Sequence, residues 1–205
     1  MPKVKLTKTE LKTQSDALKR YMRFLPMLQL KKQQLQAEIS AIAGRLEELS
    51  EKESAARESL SGWCALFSQK NIDFSALVKL ERVATETSNI AGVAIPVFIR
   101  AELSAAALDL FETPAWLDDA ASMLGRMLSL NAERAVLNRQ RELVTHELNT
   151  TAQRVNLFEK VKIPQCREHI RLIKIAIGDA QTASVTRGKI AKGRNRQPPG
   201  GEDAA

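Results

Sequence analysis

The sequence is poor in the residues that build turns and in large aromatic side chains. Only 4% of its 205 residues are aromatic, and it contains 9 glycines and 7 prolines. Alanine, leucine, lysine, arginine, glutamate and glutamine dominate instead, which is the composition of long helices. A sheet-rich fold with many turns is therefore disfavoured.

Residues that commonly serve catalysis or metal binding are also scarce. His146 and His169 are the only histidines, and Cys64 and Cys166 lie far apart in the chain without a C-x-x-C motif. The sequence has no glycine-rich nucleotide-binding loop, no nucleophile elbow and no H-E-x-x-H motif. We therefore predict no catalytic residues, no cofactor and no metal site.

A run of glutamates is the one feature that could suggest a carboxylate cluster. Basic residues lie among these glutamates, so a solvated helix face is the favoured interpretation and a cluster is the alternative. The run comprises Glu47, Glu48, Glu51, Glu53 and Glu58.

No stretch of the sequence is apolar enough to cross a membrane. The longest segment without a charged residue runs from Thr87 to Ile99, whereas a bilayer-spanning helix needs about 20 residues. The basic N-terminus lacks the apolar core of a signal peptide. We expect a cytoplasmic protein without direct membrane insertion.

The net charge of +7 is distributed unevenly. Residues 1–36 carry nine basic and two acidic side chains, and residues 154–196 carry eleven basic and three acidic ones. The intervening region is acidic. If the chain doubles back on itself, both basic ends meet at one pole.

Apolar residues of the first half keep a seven-residue period, which is typical of a coiled coil. Leu28, Leu35, Ile42 and Leu49 form one series, with Ile39 and Leu46 beside it. An earlier series, Leu11, Leu18 and Leu25, is three residues out of phase with Leu28, which predicts a stammer. Pro26 lies at that point and predicts a kink rather than a helix end.

A second long helix is predicted from about Pro114 onward. It has apolar residues at heptad spacing, and the pattern resumes around Pro164 as Ile163, Ile170 and Ile177. Since two such helices can bury their apolar faces by pairing, we predict an all-α fold, a long antiparallel two-helix coiled coil. The predicted core residues are Leu28, Leu35, Ile39, Ile42, Leu46, Leu49, Leu137, Val144, Leu148, Val155 and Phe158.

The middle of the chain is different in kind. Residues 89–99 are rich in β-branched side chains and predict one extended segment, with residues 101–111 as its partner strand or a short helix. We therefore divide the chain into a first helix (1–75), an irregular or β-hairpin middle segment (76–113), a second helix (114–192) and a disordered tail (193–205). Contacts outside the helix pair are expected at Ile90, Val93, Ile95, Val97 and Phe98.

Three separated groups of residues resemble the family of D subunits of V-type (A/V-type) ATPases and ATP synthases. The resemblance covers about residues 4–192. The matching segments are Leu6–Leu11, Leu18–Tyr21 and Leu25–Lys32 in the first helix; Asn89–Val93 and Thr113–Trp116 in the middle; and Arg154–Glu159, Ile163–Pro164, Ile170–Arg171, Ile173–Lys174 and Lys189–Lys192 in the second helix.

This resemblance implies the central rotor stalk of a complex that hydrolyses or makes ATP while moving protons or sodium ions. Such a stalk is not itself an enzyme. Its termini would enter the hexamer of catalytic A and B subunits, and its middle would meet the F subunit and the socket (d or C) subunit above the membrane ring. It would be peripheral, on the cytoplasmic side of the membrane.

Long basic side chains at the inserted pole suit contacts that must re-form with successive partners. The predicted contact residues for the A/B hexamer are Lys3, Lys5, Lys8, Lys12, Lys19, Arg20, Arg23, Arg187, Lys189 and Lys192. Two alternatives remain open, because basic ends could also serve a coiled-coil protein that binds nucleic acid or a membrane surface. The resemblance itself implies no nucleic-acid partner.

Overall fold

The computed structural model describes residues 4–61, 77–105, 114 and 116–194. Helix α1 (Lys8–Ser61) is followed by strands β1 (Val78–Ile90) and β2 (Val93–Ala105). Helix α2 (Trp116–Leu157), a π turn (Phe158–Lys162) and helix α3 (Ile163–Arg194) then form one helical run of 79 residues. The helix-dominated fold with a β-hairpin is confirmed. Lys3, Cys64 and nearly all of the tail predicted from residue 193 lie outside the described residues.

Local sequence explains where both long helices begin. Thr7 Oγ1 accepts a hydrogen bond from the N–H of Glu10 at 3.2 Å, as in the T-x-x-E capping box. At the start of α2, the N–H of Leu117 donates to the Pro114 carbonyl at 3.0 Å. Asp118 and Asp119 occupy the first turn, where the helix dipole favours negative charge.

The stammer predicted in the first helix is wrong. Burial follows two interleaved heptad series without interruption, and α1 continues through Pro26. Leu25 and Leu28 belong to different series of the same seam, since alternating three- and four-residue steps are the normal heptad spacing. The first series is Leu11, Leu18, Leu25, Lys32, Ile39, Leu46 and Glu53; the second is Gln14, Tyr21, Leu28, Leu35, Ile42, Leu49 and Ala56.

The chain divides into two compact units. One unit contains residues 30–152, and the other contains residues 1–29 together with residues 153–205. This division differs from the one predicted from sequence, which follows the secondary structure and stays a prediction.

In the unit of residues 30–152, α1 and α2 run antiparallel. Lys31 Nζ lies 2.7 Å from Glu147 Oε1, and further along α1 the carboxylate of Glu53 lies 2.7 Å from Arg134 Nη1. The partner number falls as the α1 number rises, which fixes the direction. The buried side chains of Leu35, Ile42, Val144 and Ile95 form the core between the helices and the hairpin.

The hairpin turns inside the segment that the sequence predicted to be a single strand. β1 and β2 pair antiparallel from Val78 with Ala105 to Ile90 with Val93, so the partner of β2 is residues 78–90 and not 101–111. The two-residue loop has positive φ at both positions, Ala91 at 50° and Gly92 at 84°. Such a loop matches the twist of a hairpin. Asn89 Oδ1 accepts a hydrogen bond from the Gly92 N–H at 2.8 Å.

The hairpin packs against the helices of its own unit. Ile95 is only 3% exposed, and Ile90 and Val93 pack against the same core. Gln140 Nε2 donates to the Pro96 carbonyl at 2.5 Å, which ties β2 to α2. Close approach also occurs at Gly125, where an added Cβ would lie 3.3 Å from Leu103 Cδ1.

In the other unit, the buried side chains among the described residues lie on the long helical run. They are Val155, Ile163, Cys166 and Ile173. On α1 of this unit, Tyr21 contacts Phe158 with ring centroids 4.9 Å apart and planes inclined by 48°. This contact brings the N-terminal part of α1 beside the end of α2, as the predicted pairing requires.

Candidate partner-binding surfaces

The basic side chains at the ends of the chain are exposed. Of the ten predicted hexamer contacts, Lys3 lies outside the described residues, and the other nine are all exposed. Lys5 precedes α1, five lie on the first turns of α1, and three lie on the last turns of α3. No ion pair between described residues involves these nine side chains. Their charges are therefore available to a partner.

The last turns of α3 present every side chain to solvent. From Gly178 to Arg194 each described residue is exposed, including Val185 at 60% and Ile190 at 57%. Thr182 Oγ1 donates to the Gly178 carbonyl, and Thr186 Oγ1 donates to the Thr182 carbonyl, both at 3.0 Å. A helix with so little packing is a surface rather than a core element.

Arg171 contributes less free positive charge than its neighbours on α3. Its Nε and Nη2 donate to the two carboxylate oxygens of Glu168 at 3.0 and 2.7 Å. The hydrogen bonds from Arg171 lower the pKa of the Glu168 carboxyl, and the charges of Arg171 and His169 lower it further. This pair is fully exposed, so it shapes the surface charge more than the stability.

Sequence reasoning missed several exposed apolar side chains on α1. Met22, Phe24 and Met27 are 51%, 47% and 61% exposed. Their positions in the sequence could have predicted this exposure, because none of them belongs to either heptad series of the helix. Large apolar side chains outside the seam of a coiled coil cannot be buried by the paired helix.

The five predicted contacts of the middle segment separate into two groups. Ile95 is buried, and the half-buried Ile90 and Val93 pack against the same core within the chain. Val97 is 36% exposed and Phe98 is half-buried. Other exposed apolar residues of the hairpin are Ile99 and the cross-strand pair of Leu80 and Leu103.

The predicted core residues are buried or half-buried in the structure. Leu35, Ile42, Leu49, Leu137, Val144 and Val155 are buried. The half-buried members are Leu28, Ile39, Leu46, Leu148 and Phe158.

Glu53 is buried, although the sequence favoured a solvated helix face for the whole run of glutamates. Glu53 is 4% exposed, whereas the other four glutamates of the run are exposed. Its Oε2 bonds Arg134, and its Oε1 has no hydrogen-bond partner. The heptad series through Ile39 and Leu46 places residue 53 in the seam, so the sequence contained the signal.

The described part of the chain contains neither a group of metal-binding side chains nor a helix that could cross a membrane. Within residues 4–61, 77–105, 114 and 116–194, no three His, Cys, Asp or Glu side chains are grouped as metal ligands. No helix among the same residues is long and apolar enough to cross a membrane. Cys166 is a buried free thiol whose pKa is raised by burial, against a smaller lowering by Lys162.

Comparison with known proteins decides the family. The family model for the D subunit of ATP synthase matches residues 10–193. The chain belongs to the ATP synthase D subunit family. The V-type ATP synthase D subunit of Borreliella burgdorferi is 44% identical over 192 residues, covering 94% of this chain and 95% of the relative. Those of Chlamydia felis and Chlamydia abortus are 32% and 30% identical, each covering 95% of this chain and 94% of the relative. The residues that match the family thus include the hairpin and parts of α1, α2 and α3.

Proposed function

We propose that this chain is the central rotor shaft of a V-type rotary ATPase or ATP synthase. In this role it transmits torque between the hexamer of catalytic A and B subunits and the ion-translocating ring. It binds the F subunit and the socket (d or C) subunit, catalyses nothing itself, and works on the cytoplasmic side of the membrane. The family membership supports this proposal together with the exposed basic ends.

The basic ends supply the chemistry for moving contacts. A shaft that turns inside the A/B hexamer must touch each state of the hexamer without being trapped in one of them. Solvated ion pairs contribute only about 0–1 kcal/mol each. Contacts of this kind can therefore break and re-form as the shaft turns, and flexible Lys and Arg side chains can follow acidic partners through small displacements.

The helices supply the stiffness that torque requires. Every main-chain hydrogen bond of an α-helix is internal, and a heptad seam joins two helices along their length. In α1 the seam runs from Leu11 to Ala56 without a phase break. Load applied to one part of α1 is thus carried along a regular helix.

The hairpin offers a surface for the partners outside the hexamer. Leu80, Ile99 and Leu103 are exposed apolar residues of the hairpin, and Leu103 lines a depression of about 540 Å³ together with Val78 and Gly125. We assign the F subunit or the socket subunit to this side. Replacing Leu80 and Ile99 with Ser should weaken co-purification with these subunits while the A/B contact persists.

Charge reversal at the ends tests the main proposal. Lys8, Lys12 and Lys189 are replaced together with Glu, and the control carries Glu at Lys52, Arg57 and Lys79. Both variants change the net charge equally and affect exposed side chains. Assembly with the A/B hexamer, followed by sizing, should weaken only in the first variant and most strongly at low salt.

A different result would overturn the assignment. If the unaltered chain forms no complex with A, B and F subunits but is retained on duplex nucleic acid at physiological salt, the protein is a nucleic-acid binder. Sedimentation with anionic vesicles without assembly would indicate the membrane-surface alternative.

A further inference from the structure

The π turn contains one residue more than the helix seam needs. Val155 and Ile163 are both buried and lie eight residues apart, whereas a regular heptad would return to the same position after seven. Beyond the turn the normal spacing resumes, since Ile163, Cys166 and Ile173 are buried. The π turn therefore absorbs a single extra residue while the apolar positions on both sides stay in phase.

The hydrogen bonds of the turn show how the residue is accommodated. The N–H of Ile163 donates to the Phe158 carbonyl, five residues back instead of four. Pro164 follows directly and has no N–H, so the Lys160 carbonyl receives no main-chain bond from four residues ahead. Glu159 and Lys160 are exposed, which lets water reach this part of the backbone. The turn thus has weaker internal bonding than the flanking helices.

Removal of one residue would restore a regular helix at this point. Without Lys160, Ile163 lies four residues after Phe158, so the same N–H and carbonyl form an ordinary α-helical bond. Ile163 then lies seven residues after Val155 and stays in the seam. The basic ends of the chain keep their positions relative to that seam.

We infer that the extra residue serves the working shaft and does not serve folding. The π turn is a local point of bending and twisting in an otherwise regular helical run, held by the contact of Phe158 with Tyr21. A shaft that steps between states of the A/B hexamer benefits from such a flexible point. The end that works against the load of the membrane ring can then rotate later than the end that the hexamer drives. This inference rests on the proposed rotor function.

Deletion of Lys160 tests the inference, with Lys160→Ala as the control for the lost charge. Deletion of the exposed residue Glu168 is a second control, because it shifts Ile173 out of phase with Cys166 whether or not the π turn persists. The measurements are the thermal unfolding midpoint of each chain and the ATP hydrolysis rate of the complete complex, in which the A and B subunits drive one end of the shaft and the socket subunit with the ring loads the other.

We expect the Lys160 deletion to unfold at or above the midpoint of Lys160→Ala and to assemble normally, and the Glu168 deletion to unfold at a lower temperature. Hydrolysis by the complex with the Lys160 deletion should fall by about threefold or more relative to Lys160→Ala. Equal hydrolysis rates would overturn the inference, and so would a marked loss of stability, which would assign the extra residue to folding. Failure of the unaltered chain to assemble would instead reject the rotor proposal, and the inference would fall with it.

Discussion

The guanidinium of Arg134 on α2 lies 2.7 Å from a carboxylate oxygen of Glu53, which is buried in the seam of α1. The pair is asymmetric, since the Glu53 side chain is 6% exposed and the Arg134 side chain is 48% exposed. The second carboxylate oxygen of Glu53 has no hydrogen-bond partner. Because the buried Glu53 carboxylate has only the Arg134 cation to stabilise it, removing Arg134 should affect the free energy of unfolding more than removing Glu53.

Replacement of Arg134 with Met should destabilise the protein far more than replacement of Glu53 with Leu. The first change leaves a buried carboxylate without its cation and should cost about 3 kcal/mol. The second leaves an arginine that water can solvate and should change the free energy of unfolding by less than about 1 kcal/mol. Chemical denaturation of both variants and of the double variant measures the difference. Equal losses would contradict the asymmetry.

Truncation of Ile42 should destabilise the unit of residues 30–152. Ile42 is fully buried between α1, α2 and the hairpin, so Ile42→Ala should lower the free energy of unfolding by about 2–5 kcal/mol. Leu30→Ala is the matched control on the same helix, because Leu30 is 57% exposed. Thermal or urea unfolding gives the comparison. A similar loss in both variants would contradict the described seam.

The same substitution at two glycines should have opposite effects. Gly92→Ala places a side chain at φ 84° in the hairpin loop and should destabilise by about 1–2 kcal/mol. Gly44→Ala lies inside α1 with nothing within 4 Å of the added Cβ and should stabilise by about 0.5–1 kcal/mol. Unfolding midpoints test both changes, and a stabilising Gly92→Ala would rule out the positive-φ loop.

The Cys166 thiol should react slowly with alkylating reagents, and its ionisation should lower the stability of the folded protein at alkaline pH. Burial raises its pKa above the ordinary value, so the folded state holds the proton more tightly than the unfolded state. Its stabilising contribution is complete below the ordinary thiol pKa and is lost as the pH rises through the raised value. In a Cys64→Ser chain, alkylation of Cys166 should be slower in the native protein than in denaturant across the alkaline range. Equal rates would show that the thiol is not buried.

Particular elements show how far sequence reasoning reaches. The seam from Leu28 to Leu49 could be predicted because helical periodicity is a local property of the chain. The same period placed Glu53 in the seam, yet its acidic neighbours favoured a solvent-facing interpretation. The π turn before Ile163 was not predicted, because it depends on which main-chain hydrogen bonds form around Pro164.

The hairpin was harder to predict because strand pairing is not local. β1 is mostly exposed and polar, so alternation of apolar residues gave little indication of a strand. The loop at Ala91 and Gly92 lacks the Asn-Gly pair that marks the tightest hairpins. Only the register of β1 with β2 revealed that the turn lies within residues 89–99.

The sequence by itself determined the helical character of this protein, the residues of its seam and the concentration of positive charge at both ends. These follow from periodicity and composition, which act over a few turns of chain. The tertiary structure decided that Ile95 is buried against Leu35, Ile42 and Val144, that Arg134 partners Glu53, and that Phe158 meets Tyr21. These contacts join residues distant in the chain, and their energies depend on geometry that no local pattern encodes.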